Sequence, residues 1–297
     1  MKKVFLLFSL LALLLGGCAS SPAPAQIAAT TLPVWEFTSA LCQDTPLSVA
    51  RLVTEEVSCL HDYSLNVRQV KAAEAAEVIV LSGAGLEEFL DDILLNAQTI
   101  DASAGIVLIE PAEHNHHHDD AQDSHDHHDH HHEHDPHIWL SPVNAMAMAR
   151  NICQGLREAY PQYADTFSDN LTGLLEKLEA LRAYGEDALS QLSCRELITF
   201  HDGFSYLAQA HDLTILDAIE EESGSEASAK ELIHMIEEVE HHHLPAIFTE
   251  KSGSASAAQI ISRETGARVC TLDMAMAGDS YFDAMYHNID TLKEALQ

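Results

Sequence analysis

PQYADTFSDNLTGLLEKLEALRAYGEDALSQLS, residues 161–193, is the stretch on which the fold turns. Within it Leu171, Leu174, Leu175, Leu178 and Leu181 recur at three- and four-residue steps among Glu and Lys, the spacing of one apolar face on a long α-helix. On its N-terminal side, short apolar runs at 27–31, 47–53, 78–81 and 106–109 read as strands, separated by helical patterns at 34–41, 67–76 and 86–95. A further helix is expected from about 142 to 160. On its C-terminal side, runs at 197–200, 213–216, 246–249 and 267–272 repeat the theme. Ser228 opens a helix carrying Leu232, Ile236 and Val239 there, and Ser280 caps the last one. Strands alternating with helices specify β-α-β units around mostly parallel sheets. The expected class is α/β, with two Rossmann-like lobes joined by one long helix. Residues 27–160 form the first lobe, 161–193 the linking helix and 194–297 the second lobe.

Two segments stand outside this pattern. Lys2 and Lys3 precede an apolar run that closes in Leu15-Gly16-Gly17-Cys18, which reads as an export signal over residues 1–17 that is too short for a permanent membrane helix. Cys18, behind small residues, resembles a bacterial lipobox, whose cysteine is lipidated and becomes the new N-terminus. Residues 18–26, with SSPAP at 20–24, then form the tether. The second segment is 112–135, where eleven His and eight Asp or Glu surround only two apolar residues, Ala112 and Ala121. Such a composition cannot bury itself and is expected to be a solvated loop.

Composition narrows the function. The 46% hydrophobic and 21% charged content over 297 residues is that of a folded globular chain. Fifteen Lys and Arg against 47 Asp and Glu, a formal charge of −32, argue against nucleic acid or anionic lipid as partner and for a cation. Twenty histidines point to metals that favour nitrogen ligands. Export also permits disulfides, and two candidate bridges are Cys42 with Cys59, worth about 3 kcal/mol of loop-closure entropy, and Cys153 with Cys194. Cys270 is then left over in an apolar strand.

Ligands of open α/β sheets sit beyond the carboxyl ends of the strands, so metal-competent side chains just after strands are the candidates. His61 lies in Ser58-Cys59-Leu60-His61-Asp62, His137 in Asp135-Pro136-His137-Ile138-Trp139, His201 directly after its strand, and Asp279 in Ala277-Gly278-Asp279. Two come from each lobe. Three imidazoles and one carboxylate make a closed tetrahedral set that suits Zn²⁺, with bonds of about 2.0–2.2 Å, and suits Mg²⁺ or Ca²⁺ poorly. Trp139 and Phe204 read as core packing beside the site, and His241, His242 and His243 as surface residues at a helix end.

DPHIWLSP around His137, TFHDGFSYLA around His201, PAIFTEKSGSASAAQIISRETGARV from 245 to 269 and LDMAMAGDSYFDAMYHNIDTL from 272 to 292 resemble the metal-binding solute-binding lipoproteins of zinc and manganese ABC transporters. The resemblance runs through nearly all of residues 27–297. It implies two lobes bridged by a rigid helix, with the metal in the cleft on His61, His137, His201 and Asp279. Manganese members tend to carry Glu at the third position; His201 here favours Zn²⁺ over Mn²⁺. The chain departs from the family's frequent Glu-Pro-His before the first ligand, and Glu220-Glu221-Glu222 offer an additional carboxylate near the metal.

The resemblance further implies a zinc receptor held outside the cytoplasm by an N-terminal lipid anchor. It would act as a monomer, deliver Zn²⁺ to an ABC permease with a separate ATPase, and perform no chemistry. In the loop, His116, His117, His118, His127, His128, His130, His131 and His132 are accessory ligands expected to capture or buffer metal. Two rival readings are a manganese or iron receptor of the same family, and a zinc hydrolase or metal-using adhesin. Ser82-Gly83-Ala84-Gly85 after a strand invites a dinucleotide reading, but Glu88 stands where the third glycine would be.

Overall fold

The computed structural model describes residues 25–55, 57, 60, 63–94, 97–110, 134–220, 228–251 and 255–297. The export signal, Cys18, Cys59, His61, residues 111–133 of the His-rich segment, and Glu221 and Glu222 lie outside the described residues.

Strands and helices alternate as the sequence predicts: β1 (Ile27–Ala29), α1 (Leu32–Leu41), β2 (Val49–Arg51), α2 (Val67–Ala75), β3 (Val78–Leu81), α3 (Asp91–Leu94), β4 (Gln98–Asp101), α4 (Pro142–Ala159) and α5 (Ala164–Ala188). The second half continues with β5 (Glu196–His201), α6 (Ser205–Ala210), β6 (Thr214–Glu220), α7 (Ala229–His241), β7 (Ala246–Glu250), α8 (Ser256–Thr265), β8 (Arg268–Leu272) and α9 (Tyr281–Leu296). The strands form two four-stranded parallel sheets, ordered β2-β1-β3-β4 and β6-β5-β7-β8, so the two halves share one topology.

Local chemistry sets the helix ends. Asn66 and Ser228 each open a helix with a capping box, Asn66 with Gln69 and Ser228 with Glu231. Ser141 and Ser280 accept the amides of Asn144 and Asp283. The β period of two gives each sheet two apolar faces. Ile27, Ala29, Val78 and Val80 join Ala246 and Phe248 of the other sheet in one central core, whereas Ala28 and Ile79 point into an outer core of the first half and Ile198 and Ile247 into that of the second.

α5 runs 25 residues through the central core and buries Phe167, Leu174, Leu178 and Leu181 along one stripe. Each fully buried leucine contributes about 1.5–3 kcal/mol of apolar transfer. On one side α5 packs against α1 and α4 of the first half, on another against α9 of the second, so it is a spine common to both.

Two expectations are corrected. The fourth strand is β4 at 98–101, not 106–109; Val107 is 87% exposed, and residues 106–109 run as an irregular segment. β4 is an edge strand with only Ile100 buried, so it lacks the apolar signal of an interior strand, while Ile106, Leu108 and Ile109 pack on the core without pairing. Nor do Cys153 and Cys194 form a bridge. Both thiols are free, that of Cys153 held in α4 against the carbonyl of Phe167 and that of Cys194 against the carbonyl of Glu196 just before β5. Cys42, the described half of the other candidate pair, is likewise a free thiol, buried and pushed up to about 12 by desolvation.

Candidate metal centre

The two sheets end in loops that place His137 and His201 together. His201 is the last residue of β5, a strand with neighbours on both sides, so its side chain emerges at the carboxyl edge of the second sheet. His137 begins the short turn Ile138–Leu140 that leads through Ser141 into α4. Their rings meet edge to face with centroids 5.3 Å apart, and Trp139 stacks edgewise on His137 at 5.4 Å. Both histidines are buried, at 2% and 8% exposure. A methyl group at Gly203 would come within 2.7 Å of both the His201 ring and the Met274 methyl, so only glycine lets this turn pass so close to the imidazole.

Asp135 organises His137. Its Oδ1 accepts the backbone N–H of His137 at 2.9 Å and lies 2.8 Å from Nδ1. A carboxylate only accepts, so Nδ1 carries the proton and Nε2 presents a lone pair. That Nε2 is buried and has no hydrogen-bond partner among the described residues. A buried acceptor left open is costly unless something fills it, and a neutral imidazole nitrogen of this kind is a good zinc donor. Asp135 is itself fixed: its N–H donates to the Ile109 carbonyl at 2.9 Å, and the Tyr206 hydroxyl donates to its carbonyl at 3.0 Å while accepting the N–H of Ile109 at 2.9 Å. Ile109 and Asp135, both described, are therefore joined beside His137.

Asp279 is placed differently. With Trp35, Arg51, Thr54 and Gly278 it lines a surface pocket, and Arg51 donates to the Gly278 carbonyl at 2.7 Å while stacking over Trp35 at 5.3 Å. Burial lowers the affinity of the Arg51 guanidinium for its proton, and the charge of Asp279 partly restores it. Ser280 rather than Asp279 caps α9. Among the described residues no three His, Cys, Asp or Glu side chains form a metal-holding group. Of the four expected ligands the structure brings together His137 and His201, sets Asp279 beside Arg51, and leaves His61 outside the described residues. Trp139 and Phe204 are fully buried, as expected of packing residues, and His242 is paired with Glu196 at 2.9 Å.

Asp135 was missed as a functional residue by sequence reasoning, although its spacing two positions before His137 is a local signal for a carboxylate that orients an imidazole. Arg51, which donates to the Gly278 carbonyl, and Glu36, which accepts the N–H of Tyr281, carry no such signal.

Residues 27–295 match the family described as zinc-uptake complex component A, periplasmic. The zinc-binding lipoprotein AdcA of Streptococcus pneumoniae is 30% identical over 315 aligned residues, which cover 99% of this chain and 61% of that protein, so the chain spans about three fifths of that relative's length. The crystal structure of ZnuA superposes with a TM-score of 0.76 at 28% identity, covering 92% of this chain and all of that one. The Zn(II)-bound ZnuA-like domain of Streptococcus pneumoniae AdcA gives 0.74 at 27% identity, covering 92% of this chain and 98% of that domain.

Proposed function

The chain belongs to the zinc-uptake complex component A family, and from that membership we propose that it is an extracytoplasmic Zn²⁺ receptor that hands its cargo to an ABC permease driven by a separate ATPase. The observation that carries the reading is the buried pair His137 and His201, with Nδ1 of His137 held by Asp135 and Nε2 left open to a guest. His61 and Asp279 complete the coordination. Imidazole at the position of His201 favours Zn²⁺ over Mn²⁺. Four protein ligands leave no open position for an activated water, so the chain binds and releases its cargo without chemistry.

Cys18 lipidation tethers the receptor, a monomer, to the outer face of the membrane. The formal charge of −32 raises the local cation concentration and speeds encounter. The imidazoles of residues 112–135 capture or buffer metal, more weakly than the prearranged centre because bringing several side chains onto one ion costs conformational entropy.

The test is metal analysis and chelator competition on the purified chain, on a chain lacking residues 112–135, and on His201→Ala. The loop deletion is expected to lower bound metal per chain while keeping the tight site, and His201→Ala to abolish the tight site. Loss of all tight binding on loop deletion would refute the division of labour. Tighter binding of Mn²⁺ than of Zn²⁺ would refute the cargo.

A further inference from the structure

Asp279 follows the last strand of the second sheet, yet the segment that carries it is fastened to the first half of the molecule. Leu32 donates its N–H to the Met276 carbonyl at 3.2 Å, and the Trp139 indole donates to the Met274 carbonyl at 2.8 Å. Arg51 donates to the Gly278 carbonyl at 2.7 Å. Glu36, on α1, accepts the N–H of Tyr281 at 2.5 Å and the hydroxyl of Ser280 at 3.3 Å. Tyr281 then turns its fully buried ring edge-on to Phe37 of α1 at 5.0 Å and donates its hydroxyl to the Trp139 carbonyl at 2.8 Å.

Asp279 thus lies between two fastened neighbours, Gly278 on Arg51 and Ser280 with Tyr281 on Glu36. Gly278 has φ +95°, a backbone conformation that residues other than glycine rarely adopt, so the turn into this segment calls for glycine. Glu36 also places its negative charge at the N-terminus of α9, where backbone N–H groups are unpaired. Desolvation raises the Glu36 carboxyl above its ordinary range, and the bonds from Tyr281 and Ser280 pull it back.

We propose that Glu36 and Arg51 are positioning residues for zinc binding: they clamp the 278–281 segment to the first half, so that Asp279 is presented to the metal by the half opposite in sequence. The proposal rests on the receptor reading above.

The experiment uses the full mature chain and two readouts. Chelator competition with Zn²⁺ is measured for wild type, Glu36→Ala, Arg51→Ala, Asp279→Ala and the two double variants. Amide hydrogen exchange at Tyr281 is followed in the metal-free chains. Each clamp variant is expected to weaken zinc binding about tenfold, the lower end of what loss of a supporting partner costs, and to add nothing further to Asp279→Ala. Glu36→Ala is expected to speed exchange at Tyr281. Glu36→Gln, which keeps one acceptor oxygen, is expected to fall between wild type and Ala, and it serves as the second variant should Glu36→Ala fail to fold. Zinc retained undiminished by both clamp variants, or weakened equally in the Asp279→Ala background, would overturn the clamp while leaving the receptor intact. A wild-type chain that does not retain zinc overturns the receptor and the clamp together.

Discussion

Two buried polar groups near the carboxyl ends of the strands, Glu87 and His137, have opposite surroundings. Glu87, 5% exposed, accepts the Thr30 hydroxyl at 2.6 Å and the backbone N–H groups of Ser82 at 2.7 Å and Gly83 at 3.0 Å. His137, 2% exposed, has one nitrogen held by Asp135 and the other without a partner among the described residues. The first is a structural tie whose bonds close within the chain. The second leaves one ring nitrogen open, which is what the proposed receptor role requires. The contrast also explains the Ser82-Gly83-Ala84-Gly85 turn: the amides that would cradle a phosphate in a nucleotide site are already occupied by an internal carboxylate.

Substitution separates the two kinds of group. Glu87→Ala orphans three donors and is expected to cost on the order of 3 kcal/mol of folding stability, read as a shift in the urea midpoint. A midpoint unchanged by that substitution would break the contrast from the structural side. His137→Ala is expected to cost at least about 100-fold in zinc affinity, beyond the range for supporting partners, while lowering the stability of the metal-free chain less than Glu87→Ala does. The reverse ranking would break it from the other side. Asp135→Asn sharpens the comparison, because it weakens the support of His137 without removing the ligand; about a tenfold loss of zinc affinity by chelator competition is expected.

Acidity tests both halves with smaller effects. Burial pushes the Glu87 carboxyl up to about 7 against the bonds that lower it. Its folded-state value lies above the unfolded one, so the folded chain binds the extra proton, and its stabilising contribution is fully present below about 4.5 and lost as pH rises to about 7. Glu87→Gln is expected to remove that part of the urea-midpoint profile. His211, buried with both ring nitrogens unpartnered among the described residues, is held below its ordinary 6.5 by desolvation, which the charges of Glu186 and Asp212 only partly offset. Its contribution is therefore present above 6.5 and lost as pH falls below it, the opposite slope. His211→Leu is expected to flatten this acid loss slightly, and an unchanged profile would show that His211 does not titrate on unfolding.

Much of the fold was legible because interior parallel strands are buried on both faces and read as continuous apolar runs, as in 78–81 and 246–249. Edge strand β4 was not, since one buried residue in four gives no run, and the apolar run at 106–109 was read in its place. At the site, His137 was legible from its motif at the end of the polar segment and His201 from its place after a strand run. Glu36, Arg51 and Glu87 were not, because nothing within a few residues of them signals what they hold.

The sequence by itself determined the α/β alternation, the long shared helix and the histidine-rich composition whose nitrogen donors suit zinc. All of these are properties of spacing and composition within one segment. Tertiary structure alone decided that Asp135 orients His137 against His201, that Ile109 meets Asp135 beside them, and that Arg51 grips Gly278 across 227 positions of chain. Periodicity is set by neighbours a turn or a pleat apart, whereas contacts between distant segments exist only once packing has closed the loops between them.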